Sequence, residues 1–214
     1  PADSFDAEDG RADLGFAVGP RINAAGRLDD IGLGIRCLLE EDPARAREMA
    51  AELDAWNRER REIEGGMQQE ALRLMEQGAI AEDALPWGPC LYHPDWHQGV
   101  VGLVASRIKE KHHRPVIAFA PGGAGELKGS ARSIRGFHIR DAIAAVAAAA
   151  PGLVERFGGH AMAAGLTLAA DRLEEFSRAF DAEVRRHLDA GDLESVLDSD
   201  GELDGAEFTL AQAE

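Results

Sequence analysis

Between Pro43 and Gln77 the apolar residues Met49, Leu53, Trp56, Ile63, Met67 and Leu74 punctuate a mostly charged run. Their steps of three, four and seven residues place them on one side of a helix. Asp42-Pro43 supplies a start signal, because a proline at the first helical position lacks only an amide that would have no partner there. A helix of roughly 34 residues would be about 50 Å long. That is too long for one small domain, so it reads as a connector, with Gly65-Gly66 as the place where it could bend into two helices.

Beyond Trp87 the texture changes to alternating strand and helix signals. Cys90 to Tyr92 predicts a short strand, Gly99 to Lys111 a helix, and Pro115 to Ala120 a strand turning at Gly122-Gly123 into another near Lys128 to Ser133. Arg140 to Ala149 predicts a helix and Leu166 to Leu168 a strand. Leu173, Phe176, Phe180, Val184 and Leu188 mark a terminal amphipathic helix. The order β-α-β-β-α-β-α indicates an α/β domain with a mixed sheet. Upstream, residues 20 to 28 read as a turn-rich segment and about Asp30 to Glu41 as a helix interrupted by Gly32 and Gly34.

The 214 residues can bury a core, and 45% hydrophobic with 29% charged residues is an ordinary globular composition. Cys37 and Cys90 stand alone, without a CxxC pair or a histidine at metal-ligand spacing, so neither a disulfide framework nor a zinc site is indicated, and a reducing cytoplasm fits best. No apolar run approaches the roughly 20 residues that span a bilayer. The chain starts at Pro1 in mid-pattern, so a preceding part is expected.

A net charge of −16 argues at first against a polyanionic partner, but the charge is unevenly spread. From Arg107 to Arg140 eight cations face two acids, a local excess of +6, whereas Gly191 to Glu214 holds eight acids and no Lys or Arg. A basic stripe on an acidic body suits a confined nucleic-acid groove.

Two segments within or after that stripe carry candidate chemistry. In Phe157-Gly158-Gly159-His160-Ala161-Met162-Ala163-Ala164-Gly165 the glycines let backbone approach an anion while His160 adds a donor. In Gly129-Ser130-Ala131-Arg132-Ser133 a guanidinium fork and two hydroxyls are spaced to hold a phosphodiester. Arg21, Asn23 and Arg27 form a third polar group, and His97 precedes a predicted helix N-terminus, a favourable place for an anion.

Together these segments resemble the RecJ family of single-stranded-DNA-specific exonucleases in the DHH phosphoesterase superfamily. Gly19-Pro20-Arg21-Ile22-Asn23-Ala24-Ala25-Gly26-Arg27-Leu28 is similar to the end of that family's catalytic domain. Asn57-Arg58-Glu59-Arg60-Arg61 is similar to its connecting helix, and His93 to Gly102 to the opening of its DHH-associated domain. The resemblance implies four parts: 1–42 as the remnant of the catalytic domain, 43–78 as the connector, 79–190 as the DHH-associated substrate-binding domain, and 191–214 as an acidic tail leading toward an OB-fold.

It further implies a metal-dependent 5′ to 3′ exonuclease of DNA repair and recombination that uses Mn²⁺ or Mg²⁺. Its partners would be single-stranded DNA and either a repair helicase or a single-strand-binding protein, with no membrane. Arg21, Asn23, Arg27, Ser130, Arg132, Ser133, Gly158, Gly159 and His160 would contact phosphates, with His97 as a further candidate. The chain lacks the Asp-His-His motif, and its His112-His113 pair lies among Lys and Arg. No catalytic residue, metal ligand or bound ion is therefore expected here, and the chain alone is expected to be inactive. Two alternatives stay open: a phosphodiesterase of the same superfamily acting on oligoribonucleotides or cyclic dinucleotides, and a non-catalytic nucleic-acid-binding module.

Overall fold

The computed structural model describes residues 13–78 and 85–196. A π-helical turn at Asp13–Val18 leads into three helices, α1 (Gly19–Leu28), α2 (Gly32–Leu39) and α3 (Pro43–Gly78). The α/β part follows in the order β1 (Cys90–Tyr92), α4 (Val101–His112), β2 (Val116–Gly123), β3 (Glu126–Arg132), α5 (Ile139–Ala149), β4 (Arg156–Gly159), β5 (Ala163–Ala169) and α6 (Leu173–His187). The expected mixed α/β architecture is present, with one strand more than expected.

The segment 20–28, expected as turns, is helical. Pro20 occupies the first turn of α1, where its missing amide costs nothing, and Ala24 and Ala25 are fully buried. Small side chains let α1 lie close to α3, and that tertiary contact outweighs the glycines at either end of the segment.

Helix α3 is continuous over 36 residues, about 54 Å. Gly65 and Gly66 do not break it, and neither is forced by close packing, since a Cβ on either would meet nothing within 4 Å. The apolar stripe is covered in two halves. Leu53, Met49 and Trp56 pack with Ala25, Leu33 and Cys37 of α1 and α2. Further along, Met67, Ala71 and Met75, with Ile63 and Leu74 partly covered, join the core under α4. The helix is thus a strut between two cores.

The five strands run β1-β2-β3-β5-β4, with β1 and β2 parallel and the other pairs antiparallel. One face of β2 (Val116, Ala118, Ala120) packs on Val100, Val101, Val104, Ala105 and Ile108 at α4. The other face (Ile117, Phe119, with Leu127, Leu166 and Leu168) packs on α5 and α6. Phe119 meets Phe176 edge-on at 5.9 Å. Because α4 covers only the β1–β3 side of its face, the same face of β5 and β4 is left open, and Gly158 and Gly165 are exposed there.

Candidate nucleic-acid interface

Strand alternation decides what lines the open face. Lys128, Ser130 and Arg132 share one side of β3. Across the ladder Ser130 is the partner of Gly165, which is in turn the partner of Gly158, so the two glycine-containing motifs form one row over three strands. The next row holds Arg132 and Ala163, and the His160 amide donates to the Ala163 carbonyl at 2.8 Å. Arg132 and His160 therefore flank one residue of β5, about 10 Å apart at two strand spacings.

Arg132 Nη1 donates to Ser130 Oγ at 3.0 Å and to the Ala131 carbonyl at 2.8 Å. No carboxylate among the described residues pairs with it. Burial, with the nearby charge of Arg27, lowers its pKa. A half-buried cation held this way is an incomplete electrostatic arrangement that an anion would complete.

Gly102, in the first turn of α4, stands directly beside it. A Cβ there would come within 2.7 Å of Arg132 Nη2 and 2.9 Å of Ser130 Oγ. The absence of that carbon lets the guanidinium, the hydroxyl and the helix N-terminus converge.

The neighbouring loops carry further donors. Arg27 Nη1 donates to the Gly99 carbonyl at 3.0 Å, which ties α1 to the loop entering α4. His97 Nδ1 accepts the Gly99 amide at 3.1 Å and His160 Nδ1 accepts the Met162 amide at 3.3 Å. In each neutral ring the proton is then on Nε2, which is left as a donor. Gly159 has φ of +143° and packs on the Ala163–Ala164 backbone, so the turn carrying His160 requires a glycine there.

The DHHA1 domain family matches residues 84–186. The chain is similar to the single-stranded-DNA-specific exonuclease RecJ of Dickeya dadantii, 59% identical over 203 residues, which are 95% of this chain and 35% of that protein. It is 54% identical to the Escherichia coli exonuclease of the same name over the same shares. The chain spans about a third of the length of these relatives. Among solved structures, RecJ of Thermus thermophilus in complex with Mn²⁺ superposes with a TM-score of 0.71 at 32% identity, over 83% of this chain and 25% of that one. The chain belongs to the RecJ family.

On this RecJ-family framework the residues expected to touch phosphate separate into distinct places. Ser130, Arg132, Gly158 and His160 lie along the open face, and Arg27 and His97 border it through Gly99. Asn23 lies with Arg27 on a neighbouring cavity of about 710 Å³. Arg21 is engaged elsewhere, with Nε and Nη2 both 2.8 Å from Asp54 of α3.

Ser133 is a correction. It is 1% exposed, and its hydroxyl donates to the Phe137 carbonyl at 2.6 Å. Its amide donates to the Met162 carbonyl, so it braces the His160 loop from inside instead of facing a ligand. Lys128, Thr167 and Gly102 were not singled out from the sequence. Thr167 pairs with Lys128 across β3 and β5 and its hydroxyl takes the Lys128 Nζ at 3.4 Å, a relation visible only once the register is known.

Among the described residues no group of three or more His, Cys, Asp or Glu side chains is placed to hold a metal ion. These residues do not fit a two-ion centre. No helix among them is long and apolar enough to cross a membrane.

Proposed function

We propose that this chain is the strand-holding part of a single-stranded-DNA-specific exonuclease and seats backbone phosphates on the open face of β3, β5 and β4. The observation that carries this reading is Arg132, a half-buried guanidinium without a carboxylate partner among the described residues, beside Ser130, Arg27 and the N-terminus of α4. In the intact enzyme a divalent ion, Mn²⁺ or Mg²⁺, would activate water for phosphodiester hydrolysis. RecJ of T. thermophilus has been solved in complex with each of these ions.

The sequence lacks the Asp-His-His motif, so the ligands for that ion would come from a part of the protein outside this chain, and the chain alone would bind without cleaving. Residues 1–42 would then be the end of the catalytic lobe, 43–78 the connector and 79–190 the substrate domain. The intact protein would degrade strands 5′ to 3′ in DNA repair and recombination in the cytoplasm, with a helicase or single-strand-binding protein as partner.

Fluorescence anisotropy with labelled oligothymidylate and with a mixed-sequence strand, at several salt concentrations, tests the reading. Arg132→Ala is expected to weaken binding of both strands equally and to lower the salt slope by roughly 0.7, one phosphate contact. An unchanged slope, or a loss confined to one base composition, would return Arg132 to a structural role. Shortening of a 5′-labelled strand by the purified chain with Mn²⁺ would overturn the separation of binding from cleavage.

A further inference from the structure

Helices α1, α3 and α4 line the open cavity of about 710 Å³ that Asn23 and Arg27 border. Its walls carry four guanidinium groups, those of Arg27, Arg60, Arg61 and Arg107, against the single carboxylate of Glu64. Glu64 is already shared. It takes Arg60 Nη1 at 2.6 Å and Arg107 Nε at 3.5 Å. Arg60 Nε is buried with no hydrogen-bond partner, and Arg61 has no ion-pair or hydrogen-bond partner among the described residues. Glu110, just outside the lining, also pairs with Arg107 at 3.4 Å, so four cations stand against two acids and a net charge of +2 remains at the cavity.

We propose that this cavity is a second phosphate subsite, which takes phosphodiester groups of the same strand beyond the one at Arg132. The inference rests on the strand-holding function proposed above. Arg27 joins the two places, since it lines the cavity and its charge also acts on Arg132. No aromatic side chain lines the cavity, so it offers no stacking platform and the recognition is of backbone charge. Gly65 contributes no side chain to its wall, and a Cβ there would meet nothing within 4 Å, which leaves room for a ligand.

The subsite separates from the Arg132 site by strand length. A 5′-phosphorylated thymidine dinucleotide and a long oligothymidylate are titrated against the chain, Arg132→Ala, the double variant Arg61→Gln/Arg107→Gln, and Glu64→Gln. Arg61 and Arg107 are exposed, so the double variant is expected to melt as the parent does. It should leave dinucleotide affinity unchanged while lowering the salt slope for the long strand by roughly 1.4, two contacts. Glu64→Gln should tighten long-strand binding and steepen its slope, a gain that a merely structural role would not produce.

Parental behaviour of the double variant and of Glu64→Gln toward the long strand overturns the subsite. If Arg132→Ala still weakens both ligands, the strand-holding function survives that result. Equal losses for dinucleotide and long strand in the double variant also overturn the subsite. A parent chain that binds neither ligand overturns both readings.

Discussion

The backbone of Gly99 lies so close to the Arg27 carbonyl that any Cβ at position 99 would overlap that oxygen, while the Arg27 guanidinium donates to the Gly99 carbonyl at 3.0 Å. The arginine thus grips the loop with both its backbone and its side chain. Gly99→Ala is expected to force α1 away from α4. Overpacking of this kind costs about 1–3 kcal/mol, roughly 2–12 °C in melting temperature for a chain of this size. Strand affinity should fall with it, because Arg27 leaves the neighbourhood of Arg132. Thermal melting and anisotropy on the same sample check both, and parental values in both would show the contact to be dispensable.

Gly165 tests the open face with the opposite sign for stability. A Cβ there has only the Gly129 carbonyl near it, at 3.9 Å, an ordinary contact. Gly165→Val should therefore hold or raise stability, by about 0.5–1 kcal/mol for removing a strand glycine. It should also weaken strand binding by placing a branched side chain between Ser130 and Gly158. A stable variant with parental affinity would mean that the strand runs elsewhere.

Arg132→Lys distinguishes charge from shape. The lysine keeps the cation but loses the planar fork that donates at once to Ser130, Ala131 and a phosphate. Affinity is expected to drop while the salt slope stays close to the parent's, in contrast to Arg132→Ala. Full affinity in the lysine variant would show that a point charge suffices.

Cys90 gives a pH signature outside the site. Although partly exposed beside an apolar cavity of about 560 Å³, its thiol is pushed up to about 12, chiefly by burial and further by the Asp181 carboxylate. Alkylation of Cys90 in the native chain at pH 8 should be slow, and fast after unfolding. In the unfolded chain the thiol ionises near its ordinary value of about 8.5. Its contribution to stability is therefore complete below that pH and is lost as pH rises toward 12. Peptide mapping after timed iodoacetamide treatment reads the rate, and rapid native labelling at pH 8 would refute the shift.

What could be read in advance follows from how local each signal is. Helix α6 announces itself because Phe176, Phe180 and Val184 repeat at helical steps and are all fully buried. The β2–β3 hairpin does so through an apolar run ending at Gly122-Gly123. Strand β4 escaped because Arg156, Phe157, Gly158 and Gly159 are all exposed at the sheet edge and show no alternation, so only pairing with β5 makes them a strand. Arg132, Ser130 and His160 were legible as motifs, but their shared rows depend on register. Ser133 looked like its neighbour Ser130, and only alternation along β3 and the turn to Phe137 separate the two. In the Arg60–Glu64–Arg107 grouping, Glu64 and Arg107 lie 43 residues apart on two helices, a distance over which no spacing rule operates.

Helix α3 and the Arg27–Gly99 contact form two sides of a closed frame, because both join the α1–α2 pair to the sheet. A frame of this kind stores phase as well as length. One residue inserted beside Gly65-Gly66 would lengthen the strut by only 1.5 Å but turn everything beyond it by about 100°. Arg27 would then face away from Gly99. Eleven inserted residues, close to three whole turns, would restore the angle yet overshoot the short side by about 16 Å. Neither insertion can be absorbed while the short side stays latched, so the number of residues between Asp54 and Met67 is itself a specification of where the phosphate meets Arg132.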